Sequence, residues 1–332
     1  MTRCAVVGAG AWGTALADLL ARGGHEVRLW AFERDVADGI NSARENTRFL
    51  PGVVLHGAVR ATTSLAEVAH GATVVTYVAP SHVMRGVARQ GASSVERDAI
   101  LVVATKGIER ASLRLMTDVA AEELPGRPVV ALSGPSFAAE VSQGQPTAVV
   151  AASSDEDAAL AVQRTFAGDS FRVYTHDDVI GVELGGALKN VMAIATGIAE
   201  GLGLGFNPRA ALITRGLAEI TRLGTALGAS PLTFAGLAGI GDLVLTCTGA
   251  LSRNRAVGME LGRGRTLEEI LATRETVAEG IVTTQSAHAL AAREGIEMPI
   301  VTAVHRILFE QEPARNAITA LMSRELRAER DS

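Results

Sequence analysis

The sequence predicts an α/β fold in its first half, built on a doubly wound, mostly parallel sheet, and an all-helical fold in its second half. Two observations carry this prediction. Short β-branched apolar runs alternate with segments of helical periodicity in the first half, as in sheets covered on both faces. Beyond Thr175 the strand pattern stops and long helical periods follow. The 332 residues are enough for two domains of ordinary size.

Seven strands and four helices are predicted in the first half. The strand runs are nearly continuous in apolar residues, which is typical of a parallel sheet buried on both faces, and the helical segments place apolar residues three and four positions apart. Ser153 and Ser154 provide the cap expected before the last helix. The predicted strands are 3–7, 26–30, 73–79, 100–104, 128–132, 147–151 and 170–174, and the predicted helices are 11–21, 82–92, 112–124 and 155–166.

The second half is predicted to be helical throughout. A segment rich in small residues begins near Asp177 or Asp178 and runs toward Glu200, and loops are expected where glycines cluster. The loops are 201–207 and 236–242, and the other helices are 208–227, a segment after Ser252, 266–272, 284–294 and 299–310. We therefore expect a first domain over 1–178, a helical domain over 179–325 and a charged, frayed tail over 326–332.

The composition excludes several classes of protein. Hydrophobic residues make up 48% of the chain and charged residues 20%, so the chain can bury a core and is not expected to be disordered. A net charge of −5 without a long basic run argues against a nucleic-acid partner. No signal-peptide pattern or membrane-length apolar run is recognised, so no integral membrane contact is expected. Cys4 and Cys247 form no disulfide pattern, which makes the cytoplasm the expected compartment.

Lysine usage singles out two positions. Of the 31 basic side chains, 29 are Arg, and Lys106 and Lys189 are the only lysines. An ammonium group can be tuned by burial to release a proton, whereas a guanidinium stays charged near neutral pH. Codon usage alone is the rival explanation for two remaining lysines. If chemistry is the reason, both lysines are candidates for acid–base roles.

A glycine-rich turn follows the first predicted strand. Gly8, Gly10 and Gly13 form the pattern G-x-G-x-x-G between that strand and the first helix. Gly8 permits the tight turn, Gly10 lets a pyrophosphate approach the backbone, and Gly13 lets the helix pack closely on the strand. This context predicts a Rossmann-type dinucleotide site rather than a glycine-rich turn without a nucleotide.

The end of the second strand predicts the preferred dinucleotide. Glu33 stands 20 residues after Gly13, where a carboxylate accepts from the adenosine ribose hydroxyls and repels a 2′-phosphate. This favours NAD. Arg34 offers a cation to a 2′-phosphate, so NADP remains possible, and Phe32 is placed to cover the adenine.

Three further features suggest a ligand site without a metal. Lys106 follows strand 100–104, at the edge where open α/β sheets bind ligands, although a surface lysine explains it equally simply. Lys189 lies among small residues of the first long helix, which directs it toward a cleft. The segment 252–255 offers hydroxyl, guanidinium and amide donors for a phosphate or carboxylate, or else is a solvated helix start capped by Ser252. The seven histidines show no metal-ligand spacing.

Eight sequence blocks, in this order, resemble the family of NAD(P)-dependent glycerol-3-phosphate dehydrogenases over nearly the whole chain. They are Gly-Ala-Gly-Ala-Trp-Gly-Thr-Ala at 8–15, Ala-Pro-Ser-His at 79–82, Ala-Thr-Lys-Gly at 104–107, Ser-Gly-Pro-Ser-Phe-Ala-Ala-Glu at 133–140, Gly-Gly-Ala-Leu-Lys-Asn at 185–190, Gly-Asp-Leu-Val-Leu-Thr-Cys-Thr at 241–248, Ser-Arg-Asn-Arg at 252–255 and Val-Ala-Glu-Gly at 277–280. Several blocks in the same order are far more specific than the dinucleotide pattern alone.

The resemblance implies a Rossmann-type domain joined to a helical domain like that of 6-phosphogluconate dehydrogenase, with the active site between them. It implies reversible hydride transfer between NAD(P)H and dihydroxyacetone phosphate, which gives sn-glycerol 3-phosphate for phospholipid synthesis. The expected partner is therefore a small phosphorylated substrate. A homodimer is a further expectation from the family.

The resemblance also assigns roles to residues. Lys189 matches the proton donor and acceptor at the C2 oxygen, Lys106 matches a second substrate-binding lysine, and Asp242 is placed to orient or tune Lys189. These three form the expected catalytic set. The expected substrate contacts are Lys106, Gly134, Ser136, Lys189, Asp242, Ser252, Arg253 and Asn254. The expected cofactor contacts are Gly8, Gly10, Ala11, Trp12, Gly13, Phe32, Glu33, Lys106, Ala138, Arg253 and Glu279.

A segment and a single residue depart from the family's usual pattern. Residues 30–35 resemble the eukaryotic NAD-specific members, which strengthens the prediction that NAD is the cofactor. Tyr77 replaces a small or branched residue where it would narrow the cofactor groove.

Two other functions stay open. One alternative is a β-hydroxyacid-type dehydrogenase, in which Arg253 and its neighbours bind a carboxylate. The other is a dinucleotide sensor without catalysis, for which Lys189 would be superfluous.

Overall fold

The computed structural model divides the chain into two compact units. The first contains residues 1–106 and 114–182, and the second contains residues 107–113 and 183–332. The structure describes residues 1–273, 278–326 and 328–329. Val277 of the block 277–280, and residues 327 and 330–332 of the predicted tail, therefore lie outside the described residues.

An eight-stranded sheet forms the centre of the first unit. The strands are β1 (Arg3–Val7), β2 (Glu26–Trp30), β3 (Val59–Thr62), β4 (Val74–Tyr77), β5 (Ile100–Val103), β6 (Val129–Ser133), β7 (Thr147–Ala152) and β8 (Phe171–His176). Their order is β3-β2-β1-β4-β5-β6-β7-β8. Neighbouring strands are parallel except β6 and β7, which are antiparallel. The predicted doubly wound, mostly parallel sheet is thus confirmed.

Helices cover both faces of this sheet. They are α1 (Ala11–Arg22), α2 (Arg34–Ala43), α3 (Leu65–Ala69), α4 (Met84–Gly91), α5 (Met116–Glu123), α6 (Ala138–Ser142) and α7 (Glu156–Phe166). Successive strand residues point to opposite faces, so β1 places Val6 in one apolar core and Val7 in the other. Leu16 of α1 packs in the first core and Met84 of α4 in the second. The sheet is therefore buried on both faces.

Sequence patterning missed four short elements of the first unit. β3 has four residues, lies at the edge of the sheet and contains the charged Arg60, so it lacks the apolar run of a buried strand. α3 and α6 have five residues each, too few to show a helical period. α2 buries only Val36, Ala37 and Ile40, so its apolar stripe is narrow.

The second half of the chain is helical, as predicted. Its helices are α8 (Val179–Gly201), α9 (Phe206–Ala226), α10 (Asp242–Thr248), α11 (Arg253–Gly262), α12 (Leu267–Ala272), α13 (Glu279–Glu294), α14 (Pro299–Phe309) and α15 (Ala314–Met322). A 3-10 turn (Pro231–Ala235) and a π-helical turn (Leu237–Gly241) lead into α10. α10 and α15 were not predicted, because each is short and only partly buried.

Three boundaries in the second half differ from the prediction. The expected loop 236–242 contains the π-helical turn, interrupted at Gly239, where φ is −94° and ψ is −106°. α9 begins at Phe206, inside the expected loop 201–207. α13 begins at Glu279 rather than at 284, and its N-cap residue, Ala278, has no side chain that could have marked the start.

α8 is the core helix of the second half. Among the described helices it is the one that is long and apolar enough to cross a membrane by length and composition. However, 89% of its most apolar window is buried within the protein. Its apolar character therefore reflects packing against the surrounding helices.

Candidate functional site

The junction of β1 and α1 has room only for glycine at two positions. Gly8 has a φ of +125°, and a Cβ there would meet the backbone nitrogen of Ala79 at 2.9 Å. A Cβ on Gly13 would overlap the carbonyl oxygen of Gly8. The fold itself therefore requires both glycines. In contrast, a Cβ on Gly10 would meet no atom within 4 Å, so the space beside Gly10 is open.

This open space lies at the N-terminus of α1. Gly10 is the N-cap residue, and no side chain caps the first amides of the helix, which remain available to an anion. The indole N–H of Trp12 is buried and has no partner among the described residues. The chain thus fits a dinucleotide whose pyrophosphate lies beside Gly10. The predicted cofactor residues lie in this turn (Gly8 and Gly10) and in the first turn of α1 (Ala11, Trp12 and Gly13).

The end of β2 carries the residues predicted to contact the ribose and adenine. Glu33 is the N-cap residue of α2, but its carboxylate makes no capping hydrogen bond. Phe32 is 79% exposed and packs edge-on against Trp30, with 6.2 Å between ring centroids, so one face can stack on a base. Arg34 is exposed. Tyr77 is buried in an apolar core and therefore lines no open groove, contrary to the expectation that it narrows one.

Lys106, Gly134 and Ser136 meet at one carbonyl oxygen. Lys106 lies beyond the end of β5 and Gly134 follows β6, and these parallel strands end side by side. The Lys106 ammonium donates to the Gly134 carbonyl at 3.2 Å, and the Ser136 hydroxyl donates to the same oxygen at 2.9 Å. Gly134 has a φ of +139°, and a Cβ there would meet the Cα of Val149 at 2.9 Å. Ala138, also predicted near the cofactor, begins α6 just beyond.

A buried ion pair forms the centre of the site in the second unit. The ammonium of Lys189 on α8 donates to Oδ1 of Asp242, the first residue of α10. The Lys189 side chain is 9% exposed and that of Asp242 is fully buried. The lysine side chain therefore keeps a small exposed fraction, whereas the carboxylate has none. A buried charge is tolerated only when it is paired, so the pair holds both groups in place.

Small residues and a hydroxyl make this ion pair possible. A Cβ on Gly185 would overlap the carbonyl oxygen of Ala238, so only glycine lets the π-helical turn lie against α8. The Thr246 hydroxyl donates to the main-chain oxygen of Asp242 at 2.7 Å and lies 3.4 Å from its Oδ1. Thr246 was not assigned a role from the sequence. Its position one helical turn after Asp242 is the signal that would have found it.

Both cysteines are buried, neutral thiols, and Cys247 lies close enough to Lys189 and Asp242 to feel their charges. Burial raises the pKa of Cys247 to about 12, and the hydrogen bond from Thr196 and the charge of Lys189 offset only part of this rise. Burial likewise raises the pKa of Cys4 to about 12. Neither thiol is therefore ionised near neutral pH. Within the described part of the chain, no group of three or more His, Cys, Asp or Glu side chains is arranged to hold a metal ion.

Four glycines bring α11 against α8. Gly197 and Gly201 on α8 face Gly258 and Gly262 on α11, and a Cβ on any of them would overlap a backbone carbonyl of the other helix. The contacts advance in the same direction along both helices, which are therefore parallel. Backbones this close fix the register between the helices. Two G-x-x-x-G spacings, at 197–201 and 258–262, are the sequence signal of this crossing.

The N-terminus of α11 carries the predicted anion-binding residues. Ser252 caps the helix, since its hydroxyl oxygen accepts from the Arg255 N–H at 3.2 Å. Arg255 makes a two-bond pair with Glu200 of α8, at 2.7 and 3.0 Å. Arg253 is exposed and has no ion-pair partner among the described residues. Arg255 is therefore a structural cation, and Arg253 is the guanidinium available to a ligand.

Asn254 lies between helices rather than on the open surface beside Arg253. Its amide nitrogen donates to Oδ1 of Asn190 at 2.9 Å, and its oxygen accepts from the N–H of Gly280 at 2.9 Å. The residue is 9% exposed. Glu279, predicted near the cofactor, is the first residue of α13 and precedes Gly280. Neither Asn190 nor Gly280 was singled out from the sequence.

A glycine turn shaped for a dinucleotide, together with a buried lysine–carboxylate pair and a helix start that bears an exposed arginine, is typical of a nicotinamide-nucleotide-dependent dehydrogenase. Comparison with family models identifies the family within this class of enzymes. The model described as NAD-dependent glycerol-3-phosphate dehydrogenase N-terminus matches residues 3–159, and the corresponding C-terminus model matches residues 178–319. The chain belongs to the NAD-dependent glycerol-3-phosphate dehydrogenase family.

Individual relatives agree with this family over the full length. A glycerol-3-phosphate dehydrogenase (NAD(P)+) from Geobacter sulfurreducens is 56% identical over 331 residues, which are 99% of each chain. The crystal structure of a glycerol-3-phosphate dehydrogenase from Coxiella burnetii has a TM-score of 0.94 at 43% identity, covering 97% of this chain and 99% of that one. The Saccharomyces cerevisiae glycerol-3-phosphate dehydrogenase structure has a TM-score of 0.80 at 26% identity, covering 96% and 98%.

Proposed function

We propose that the chain is a glycerol-3-phosphate dehydrogenase that transfers hydride reversibly between NAD(P)H and dihydroxyacetone phosphate. The observation that carries this proposal is the buried Lys189–Asp242 pair in the same unit as the helix end that bears Arg253. The pair supplies a proton donor, and Arg253 supplies a phosphate anchor. Full-length relatives named glycerol-3-phosphate dehydrogenase (NAD(P)+) support the substrate. In the cell the reaction runs toward sn-glycerol 3-phosphate for phospholipid synthesis.

Lys189 moves the proton of the reaction. When bound, NAD(P)H would supply hydride to the carbonyl carbon of the ketone. Lys189 donates a proton to the C2 oxygen, and its positive charge stabilises the alkoxide that develops there. Asp242 orients the ammonium through the buried hydrogen bond. In the reverse direction Lys189 accepts the proton from the C2 hydroxyl.

Arg253 holds the end of the substrate that does not react. The guanidinium and the first amides of α11 bind the phosphate, and this binding energy keeps the ketone close to Lys189. Ser252 contributes by fixing the start of the helix. In the first unit, Lys106 and the hydroxyl of Ser136 offer polar contacts to the substrate, and their common partner, the Gly134 carbonyl, keeps the two together.

NADH is the preferred cofactor in this proposal. The carboxylate of Glu33 is not used as a helix cap and is therefore available to the two ribose hydroxyls. A 2′-phosphate at the same place meets this negative charge. Arg34 is exposed beside it and lets NADPH bind more weakly. The NADH/NADPH ratio of kcat/KM measures this preference.

The compartment and assembly follow from the same proposal. We expect a cytoplasmic enzyme, because both cysteines are free thiols buried in the fold rather than joined in a disulfide.

A homodimer is the expected assembly. Sedimentation of the purified chain measures its mass, and a monomer at assay concentrations would contradict the expectation.

The function is tested by following the consumption of NADH and NADPH, in separate reactions, with dihydroxyacetone phosphate and with a β-keto acid. We expect consumption with dihydroxyacetone phosphate and little with the keto acid. Arg253→Ala raises KM for dihydroxyacetone phosphate by roughly tenfold or more, since a charged hydrogen bond is lost. Arg263→Ala, at the other end of α11, is the matched control and leaves KM unchanged.

The other outcomes separate the rival functions. Turnover of the keto acid without turnover of dihydroxyacetone phosphate would identify a hydroxyacid dehydrogenase. Tight NADH binding without turnover of either ketone would identify a sensor.

A further inference from the structure

The loop 44–58, which joins α2 to β3, carries a buried asparagine that no step of the proposed reaction uses. Asn46 is 1% exposed. Its amide nitrogen donates to the carbonyl oxygen of Ala9 at 2.8 Å and to the hydroxyl oxygen of Thr14 at 2.8 Å. Its side-chain oxygen accepts from the main-chain N–H of Phe49 at 3.1 Å. Both N–H groups and the oxygen of this amide are therefore engaged by the protein.

The partners of Asn46 fix which way its amide faces. A main-chain N–H can only donate and a main-chain carbonyl can only accept, so the oxygen must face Phe49 and the nitrogen must face Ala9. The Thr14 hydroxyl, on α1, donates to the same Ala9 carbonyl at 3.3 Å. This carbonyl therefore accepts from two side chains, and both of these side chains are buried.

The held carbonyl sets the direction of the next amide in the nucleotide turn. The Ala9–Gly10 peptide is trans and planar, so the N–H of Gly10 points away from the carbonyl of Ala9. The carbonyl faces buried side chains, whereas Gly10 is exposed and the space where its Cβ would lie is open. The N–H is therefore presented on the side of the turn where the pyrophosphate is expected.

This peptide needs a restraint because its second residue is glycine. Rotation of the peptide by half a turn changes ψ of Ala9 and φ of Gly10, and glycine adopts φ of either sign at little cost. After that rotation a carbonyl oxygen, rather than an N–H, would face the pyrophosphate, and two electronegative groups would meet. The glycine that lets a phosphate approach therefore also leaves the peptide free to turn, unless another residue holds it.

We propose that Asn46 is a positioning residue for the dinucleotide, which locks the Ala9–Gly10 peptide with its N–H toward the pyrophosphate. This inference rests on the proposed function, because it takes NAD(P)H to bind beside Gly10. The effect of Asn46 passes through the backbone of Ala9 and Gly10, since its own polar atoms are engaged by the protein.

A purely structural role for Asn46 predicts a different result. Asn46 also orders its own loop, since its main-chain carbonyl accepts from the N–H of Leu50 at 2.9 Å, and Phe49 packs against one of the two cores beside the sheet. Loosening of this loop would weaken every ligand that the loop borders, whether or not the ligand carries a phosphate. The positioning role instead predicts that only ligands with a pyrophosphate lose affinity.

The experiment compares three ligands on wild-type protein and on Asn46→Ala. They are NADH, ADP-ribose, which keeps the pyrophosphate but lacks nicotinamide, and adenosine, which has no phosphate. Fluorescence titration gives the Kd of NADH, and displacement of NADH gives the other two. We expect the Kd of NADH and of ADP-ribose to rise at least about tenfold, and that of adenosine less than about twofold, because a hydrogen bond to a charged group is lost.

Steady-state kinetics give a second readout of the same variant. At saturating NADH, kcat and the KM for dihydroxyacetone phosphate should change less than about threefold, while the KM for NADH rises with its Kd. A fall in kcat with an unchanged KM for NADH would overturn the inference, since it would place the effect of Asn46 on the chemical step.

Asp18→Ala is the matched control for loosening of the loop. Asp18 lies on α1 and is 1% exposed, and its carboxylate accepts from the main-chain N–H of His56, near the other end of the same loop, at 2.7 Å. It also pairs with Arg22 at 2.8 Å. Its loss should lower the melting temperature and leave the affinity for all three ligands unchanged. Equal losses of NADH affinity in Asp18→Ala and Asn46→Ala would overturn the positioning role.

Thr14 provides a test that leaves Asn46 in place. Thr14→Val keeps the shape of the side chain but removes the hydroxyl that contacts Ala9 and Asn46. The Kd of NADH and of ADP-ribose should therefore rise about threefold, with that of adenosine unchanged. Thr14→Ser keeps the hydroxyl and should bind all three ligands as the wild type does. Should Asn46→Ala fail to fold, this pair carries the test, and equal affinities of the two variants would overturn the inference.

The remaining outcomes separate the inference from the function beneath it. A loss of adenosine affinity as large as the loss of NADH affinity in Asn46→Ala would make Asn46 a support of the loop alone and overturn the inference. Unchanged affinity for NADH would overturn it as well. Wild-type protein that binds neither NADH nor ADP-ribose would refute the proposed function instead.

Discussion

The nucleotide turn and the lysine site are built in opposite ways. The turn is built from the backbone of residues 8–13, packed against the backbone of Ala79, and its key atoms are amides and glycines. The lysine site is assembled from side chains far apart in sequence: Lys189 and Asp242 are 53 residues apart, and Asn190 and Asn254 are 64 apart. A change at Gly10, where the turn has open space, should therefore change ligand binding alone, whereas damage to the lysine site should change stability and rate together.

The largest effect is expected at the buried ion pair. Asp242→Asn keeps the shape of the side chain but removes the negative charge that pairs with the buried Lys189 ammonium, and breaking a buried pair in this way typically costs about 3–5 kcal/mol of unfolding free energy. We also expect kcat to fall at least about a hundredfold, because the proton donor loses its orientation. Urea unfolding and steady-state kinetics measure the two losses.

A surface ion pair is the control for this change. Arg3 and Glu26 lie 3.2 Å apart in the first unit, with both side chains partly exposed. Glu26→Gln should cost less than about 1 kcal/mol and leave kcat unchanged. If Asp242→Asn behaved like Glu26→Gln, the claim that the lysine site couples stability to rate would be wrong.

The second effect is a pH dependence of stability that belongs to the helical half. Burial of Glu219 raises its pKa from the ordinary value of 4.5 to about 7, although hydrogen bonds from Ile300 and Val301 oppose the rise. Between those pH values the folded state holds a proton that the unfolded state has released. The contribution of Glu219 is therefore greatest below pH 4.5, declines up to pH 7 and is level above it.

Glu219→Gln should flatten this slope. The wild type should lose up to about 1.4 kcal/mol of unfolding free energy per pH unit relative to the variant across that interval. Urea titrations of both proteins at acidic and neutral pH measure the difference. Parallel curves for the two proteins would mean that Glu219 does not titrate in this range.

A smaller loss of stability is expected from the helix crossing. In Gly258→Ala the new methyl group overlaps the carbonyl oxygen of Ile194, so α11 must move away from α8. Overpacking of this kind typically costs about 1–3 kcal/mol, and the shift should also lower kcat. Gly86→Ala on α4 is the control, because a Cβ there meets no atom within 4 Å. Equal stability of the two variants would show that the crossing is not tight.

The smallest effect on stability is expected at Gly10. A Cβ at this position enters open space, so Gly10→Ala should change the unfolding free energy by less than about 1 kcal/mol. The same methyl group lies where the pyrophosphate approaches, so NADH affinity should fall by roughly tenfold. Fluorescence titration with NADH measures the affinity. Unchanged affinity would place the pyrophosphate elsewhere.

The contrast between the local nucleotide turn and the long-range lysine site also explains what the sequence could predict. β1 and β2 have the predicted bounds, because their apolar runs and the glycine pattern between them are local signals. Lys106 and Gly134 could be placed at one edge of the sheet, since each follows a strand of the predicted parallel sheet. The start of α13 was placed too late, because its acceptor, Asn254, lies on another helix.

The long-range contacts of the lysine site could not be predicted in the same way. Nothing near Asn254 in sequence indicates that its amide bonds Asn190 and Gly280, because that pairing depends on how three helices pack. Thr246 belongs to the short, unpredicted helix α10. The two G-x-x-x-G spacings are visible in the sequence, but they do not reveal which helices they join. Periodicity locates helices, whereas partners across dozens of residues are set by packing.

The central claim is that Lys189 donates the proton, and Lys189→Arg tests it most directly. A guanidinium keeps the charge beside Asp242 but does not release a proton near neutral pH. With dihydroxyacetone phosphate and NADH, we expect the variant to fold, to bind NADH as the wild type does, and to lose most of its turnover. Turnover close to that of the wild type would contradict the claim.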